Sequence, residues 1–117
     1  INFFTYIKDV PPYFKSSLQM MYEMVGNPET DADQLKAISP VFHADKIKQP
    51  LLIFQGGRDP RANLSEMNQF VSELKRRKAP VTYFYNENER NYWGGHNRLL
   101  MYTEIEQFLD NNMRVKP

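Results

Sequence analysis

Few residues in this sequence combine a reactive side chain with a position suited to chemistry, and Asp59 is the first of them. It follows the continuous apolar run Leu51-Leu52-Ile53-Phe54 and the pair Gly56-Gly57. Such a run fits a strand buried on both faces of a parallel sheet. Open α/β folds place their active sites just beyond the carboxyl ends of those strands. The glycines permit the tight turn that would present the acid there. On spacing alone, however, Asp59 beside Pro60 reads as a turn residue, because Asp favours turns. Gly56-Gly57-Arg58 falls short of a phosphate-binding fingerprint. The two imidazoles, His43 and His96, stand among scattered carboxylates without metal-ligand spacing, so no metal is expected. The aromatics Tyr83, Phe84, Tyr85, Tyr92 and Trp93 read as core and loop packing, and no cofactor is expected. The absence of cysteine excludes disulfides and thiolate chemistry.

The elements that must carry these residues fall into two parts. Residues 1–49 read as a helical segment, and residues 50–117 as strand, helix, strand, helix. In the first part, Asn2 to Ile7 is aromatic and β-branched, and Pro11-Pro12 breaks any regular element. Tyr13 to Val25 has no breaker and is predicted to be one helix stopped at Gly26 and Pro28. Thr30 to Ile38 is predicted as a short helix capped by Thr30 or Asp31 and ending before Ser39-Pro40. In the second part, a strand over Leu51 to Gln55 leads to Asn63, which stands three residues before Glu66 like a capping box. Leu64, Met67, Phe70, Val71 and Leu74 then follow at helical spacing. Lys75 to Lys78 crowd the last turn, where the helix dipole favours cations, and read as a solvated helix end. A second strand is expected over Val81 to Asn86, then a polar loop to Gly95. A last helix is expected from about Asn97 to Met113, with Tyr102, Ile105, Phe108 and Leu109 on one face. This order implies a βαβ crossover and a parallel sheet. Two strands do not complete such a sheet, so the rest of it is expected outside this sequence.

Composition sets the outer bounds. The 117 residues make at most one domain, and 41% hydrophobic with 14% aromatic residues allow a core. A net charge of +1 argues against a nucleic-acid or membrane-surface binder. No apolar run is long enough to span a bilayer. The chain reads as a soluble, internal or trimmed piece whose compartment is unknown, because any targeting signal would lie upstream of Ile1.

One segment is specific. Ser39-Pro40-Val41-Phe42-His43-Ala44-Asp45-Lys46-Ile47-Lys48-Gln49-Pro50 through Leu51 to Gly56-Gly57-Arg58-Asp59-Pro60-Arg61 closely resembles a stretch of prolyl oligopeptidase-family serine peptidases, the dipeptidyl and acylaminoacyl peptidases among them. Asn2-Phe3 with Tyr6, Gly26-Asn27-Pro28-Glu29, and Asn97-Arg98 with Tyr102 and Ile105 to Leu109 extend the resemblance over nearly the whole chain. It implies the C-terminal portion of an α/β-hydrolase fold, three-layered with a mostly parallel sheet. It also implies acyl transfer by a Ser-His-Asp triad, in the chain order nucleophile, acid, histidine. Asp59 matches the family's acid. The nucleophile belongs in a G-x-S-x-G elbow, and Ser16, Ser17, Ser39, Ser65 and Ser72 all lack the flanking glycines, so it is expected upstream. Counting back from Arg98 without gaps puts Arg90 where the family has its histidine. A guanidinium stays protonated and cannot act as a base. His96 is the nearby imidazole, but using it needs two compensating gaps. His43 matches a position outside the triad and reads as structural.

Three readings follow. The first is a C-terminal part of a serine peptidase acting on peptide or ester substrates in its parent. The second is a catalytically dead relative retained for binding or assembly, which Arg90 favours. The third is an unrelated small α/β binding module, which the resemblance disfavours. By itself the chain is expected to be inactive and either self-associated or bound to the remainder of its parent.

Overall fold

The computed structural model describes residues 1–60 and 62–113. Arg61, the last residue of the motif that begins at Ser39, lies outside the described residues. The aromatic opening segment is helical: α1 (Phe3–Lys8) starts at Asn2, whose side chain accepts from the Phe4 amide. Next come a 3₁₀ helix over Pro12–Ser17 and α2 (Leu18–Met24). The single helix expected over Tyr13 to Val25 is thus corrected to two pieces. Pro12 fixes φ and offers no amide, and neither piece buries a residue fully, so no core contact enforces one α-helical register. Gly26 (φ +144°) ends this arm against Leu35, where a Cβ would meet Leu35 Cδ2 at 3.0 Å.

α3 (Ala32–Ile38) begins later than Thr30. Asp31 stands at its N-cap without a side-chain cap bond, because its carboxylate turns back to the Asn27 amide at 2.8 Å. A second 3₁₀ helix, Pro40–Lys46, carries Val41 and Ala44 into the core. His43 Nε2 donates to the Ala37 carbonyl at 2.7 Å, which gives this histidine a structural partner.

β1 (Leu51–Gly56) and β2 (Val81–Asn86) pair in parallel, Leu51 opposite Val81 and Gly56 opposite Asn86. Between them runs α4 (Leu64–Arg76). Val71 and Leu74 are buried, and Leu64, Met67 and Phe70 are half-buried beside them, the face their spacing marks out. The capping box needs correction. Asn63 does cap α4 by accepting from the Ser65 amide, but Glu66 turns away to bond α1 instead of reaching back. At the other end Lys78 takes a left-handed φ of 57°, its amide donating to Lys75 O and that of Ala79 to Leu74 O. This pair of bonds is a Schellman stop, made without the usual glycine. In the same last turns Arg76 and Arg77 hydrogen-bond Glu73 and hold its carboxyl down at about 2.

α5 (Gly95–Met113) starts two residues before the expected Asn97. The pleat separates the two faces of the sheet. Tyr83 reaches Asn68 of α4 through its hydroxyl, so Ile53, Gln55 and Tyr83 face α4. Burial raises the Tyr83 phenol above its usual value, with Tyr85 adding to it. Leu52, Thr82 and Phe108 border one cleft, so the opposite face meets α5. The result is a helix–sheet–helix sandwich around a small parallel sheet. The run Leu51–Phe54 is only half-buried, not buried on both faces as expected, because β1 has one hydrogen-bonded neighbour among the described strands. On α5, Ile105 and Phe108 turn inward, whereas Tyr102 and Leu109 are exposed rather than sharing that packed face.

Candidate active site

The turn that carries Asp59 is built from β1 outward. Gln55 is buried at the end of the strand, and its Nε2 donates to Gly56 O at 2.9 Å and Ala62 O at 2.6 Å. It therefore clasps the turn at both ends. Inside the clasp the Asp59 amide donates to Gly56 O at 3.2 Å, and Asp59 Oδ1 accepts from the Ala62 amide at 3.0 Å. The carboxylate is half-buried just past the carboxyl end of β1. Part of its hydrogen bonding fixes its own turn, the role expected of an Asp beside Pro60.

The loop after β2 lies directly on this turn. Gly57 N donates to Asn86 O at 2.8 Å and Arg58 N to Glu89 O at 2.9 Å, and the Arg58 guanidinium reaches Asn88 Oδ1 at 3.4 Å. The approach is so close that it explains both glycines. A Cβ at Gly56 would stand 1.8 Å from the Arg90 carbonyl oxygen, and one at Gly57 2.6 Å from Glu87 Cα. Position 90 is therefore seated against the Asp59 turn by its backbone, with its side chain exposed.

His96 is placed differently. It lies exposed in the first turn of α5, whose start is fixed from three sides. Gly95 has a φ of +54°, a conformation that favours glycine. Glu89 accepts from Asn97 Nδ2 at 2.9 Å and from the Gly94 amide at 3.4 Å. Trp93 packs edge-on to Phe54 at 5.3 Å, and Phe54 stacks on Phe84 at 5.4 Å. The polar loop that leads to His96 is thus tied down at both ends.

Beside the Asp59 turn is a cavity of about 250 Å³. Tyr6, Val10, Phe14 and Met21 form its apolar side, and Pro60 and Asn63 close it from the turn. An apolar side chain fits such a wall, which Asp9 and Ser17 complete, and Pro60 brings the turn that carries Asp59 to its edge. Among the described residues no cluster of His, Asp and Glu could hold a metal ion. No described helix is long and apolar enough to cross a membrane. Sequence reasoning gave no role to the side chains of Gln55 and Glu89. Gln55 carried one signal, an amide at the end of an apolar run just before two glycines.

The comparisons agree with one another. The model of the prolyl oligopeptidase family matches residues 7–116. Dipeptidyl aminopeptidase BIII of Pseudoxanthomonas mexicana is 42% identical over 84 residues, covering 70% of this chain and 12% of that protein. Dipeptidyl peptidase family member 6 of Caenorhabditis elegans is 32% identical over 112 residues, covering 92% of this chain and 15% of that protein. The chain spans less than a sixth of the length of either relative.

Proposed function

The chain belongs to the prolyl oligopeptidase family, and from that premise we propose that it is the C-terminal part of the α/β-hydrolase domain of a serine peptidase, supplying the triad acid and one wall of the substrate cleft. The supporting observation is Asp59. It stands just past the carboxyl end of β1, in a turn clasped by Gln55 whose Pro60 lines a largely apolar cavity and against which the β2–α5 loop packs. In this reading Asp59 holds the imidazole of the base in one tautomer and stabilises its protonated form. The cavity takes an apolar substrate side chain. The relatives' names concern dipeptidyl cleavage, which makes peptides with a free amino terminus the first substrates to try, with esters after them. The nucleophile comes from the remainder of the parent protein, and the chain alone is inert.

A specific observation favours a second reading. The position that the loop seats against the Asp59 turn holds Arg90, and a guanidinium takes no proton. A parent with no other base binds peptides without cleaving them.

Fluorophosphonate labelling of the full-length protein separates these readings. Labelling of the unmodified protein that falls by a factor on the order of 10⁴ in Asp59→Asn and several orders in His96→Ala supports the peptidase with His96 as base. No labelling until Arg90→His restores it supports the binding-only reading. Labelling that Asp59→Asn leaves unchanged refutes Asp59 as the acid. Silence from both the unmodified protein and Arg90→His refutes the peptidase reading and Arg90 as the cause of inactivity. Labelling of the 117-residue chain by itself would contradict the proposal outright.

A further inference from the structure

The cavity beside Asp59 has two walls from distant parts of the sequence, and one buried carboxylate joins them. α1 is a six-residue helix, too short to be stable by its own hydrogen bonds. Its first amides are instead held by side chains. Asn2 N donates to Glu66 Oε2 at 3.0 Å, Phe3 N to Ser39 Oγ at 2.9 Å, and Phe4 N to Asn2 Oδ1 at 3.0 Å. The Thr5 hydroxyl donates to the other carboxylate oxygen of Glu66. Glu66 is 3% exposed and Ser39 fully buried, and Ser39 also donates to Leu35 O at 2.6 Å. A negative charge at that end of a helix is favoured by its dipole as well.

Glu66 lies in the first turn of α4, the helix that Asn63 caps. Asn63 and Pro60 are one cavity wall, while Tyr6 on α1 and Val10 just beyond it stand on the other. Glu66 therefore ties the α1 wall to the helix that follows the turn bearing Asp59. Ordinary core packing does not explain a buried carboxylate here, because an apolar residue of that size would fill the space without the cost of burying a charge.

We propose that Glu66 is a positioning residue for this cavity, holding α1 by its first turn and so setting the width available to an apolar substrate side chain. The proposal rests on the reading of the cavity as a substrate pocket. It predicts that losing Glu66 affects large side chains in the pocket and spares small ones. Ser39 holds the same turn as a second anchor.

The test uses the full-length protein and two readouts. The first is amide hydrogen exchange over residues 2–14. The second is the affinity for Ala-Leu-aminomethylcoumarin compared with Ala-Gly-aminomethylcoumarin. In Glu66→Ala, exchange in α1 should rise at least tenfold while β1 and β2 keep their protection. Affinity for the leucyl probe should fall tenfold or more, and that for the glycyl probe less than twofold. Thr5→Val, which removes one partner and cannot unfold the core, should show the same pattern at about threefold. Glu66→Gln keeps one acceptor oxygen and should recover part of the loss. Unchanged α1 exchange in Glu66→Ala and Thr5→Val would overturn the clamp. Raised exchange with unchanged leucyl affinity would overturn its positioning role. If the unmodified protein does not prefer the leucyl probe, the pocket reading itself fails, and the exchange data still decide whether Glu66 holds α1.

Discussion

Gly56 shows how strictly a single position can be set by its neighbours. Its φ is unremarkable, so conformational freedom does not account for it. The account is steric: a Cβ would lie 1.8 Å from the Arg90 carbonyl oxygen and 2.5 Å from that of Glu89. Both atoms are backbone, which cannot rotate aside as a side chain can. Gly56→Ala must therefore lift the β2–α5 loop off the Asp59 turn and lose the bond from Arg58 N to Glu89 O. Overpacking of this kind costs roughly 1–3 kcal/mol. Gly94→Ala is the matched control, since nothing lies within 4 Å of a Cβ there. Urea unfolding should show the Gly56 variant destabilised in that range and the Gly94 variant within about 0.5 kcal/mol of the parent. An equal effect at both sites would mean the loop does not sit where the structure has it. The same contact gives Arg90 its meaning. Its side chain chemistry is wrong for a base, yet its backbone lies against the turn that carries Asp59.

Among the elements, the β2–α5 loop behaves as a built part of the fold. Glu89 is its anchor, reaching Gly94 N and Asn97 Nδ2 and so securing the first turn of α5. Glu89→Ala leaves the Gly94 amide and the Asn97 amide without those partners. The expected loss is about 1 kcal/mol, the size of a helix N-cap. Hydrogen exchange should rise over residues 94–99 and stay constant in β1 and α4. A loss spread evenly over the chain would refute a local anchor. Little of this loop was legible in the sequence, because Glu89 bonds partners five and eight residues on, in a stretch with no periodicity to read. The strands and α4 were legible, since apolar runs and helical spacing report burial directly. Tyr13 to Val25 reads as one helix but forms two pieces, because composition shows a helix former without showing whether a core will hold it. Glu66 fits a capping box by spacing, and only the three-dimensional approach of α1 diverts it. The position of Asp59 was visible from its strand and glycines. The clasp of Gln55 that steadies it depends on Ala62, seven residues away across the turn.

At the scale of the whole molecule, shape and surface point the same way. The radius of gyration is 16.8 Å, whereas a compact chain of this length has about 13 Å. The extents are 53 × 33 × 22 Å, an elongated body for 117 residues. Large apolar side chains lie open on two elements: Met24 is 76% exposed on the arm, and Leu99 and Met113 are 65% and 72% exposed on α5. β1 presents an edge with no hydrogen-bonded neighbour among the described strands, and such edges pair with other chains unless covered. Apolar burial is worth about 25 cal/mol per Å², so covering several such side chains favours association by several kcal/mol before the entropic cost of docking. We therefore propose that the remainder of the parent protein covers this surface, and that the 117-residue chain expressed alone covers it with a second copy. Sedimentation at micromolar concentration should show dimers or larger species of the isolated chain. Leu99→Lys combined with Met113→Lys should shift them toward monomer, because a charged stem keeps its head in water. Exposure to a hydrophobic dye should fall as the concentration rises. A compact monomer with a single cooperative unfolding transition and no dye binding would refute the proposal. It would also show that the small core around Leu35, Val71 and Leu74 is enough to hold the fold by itself.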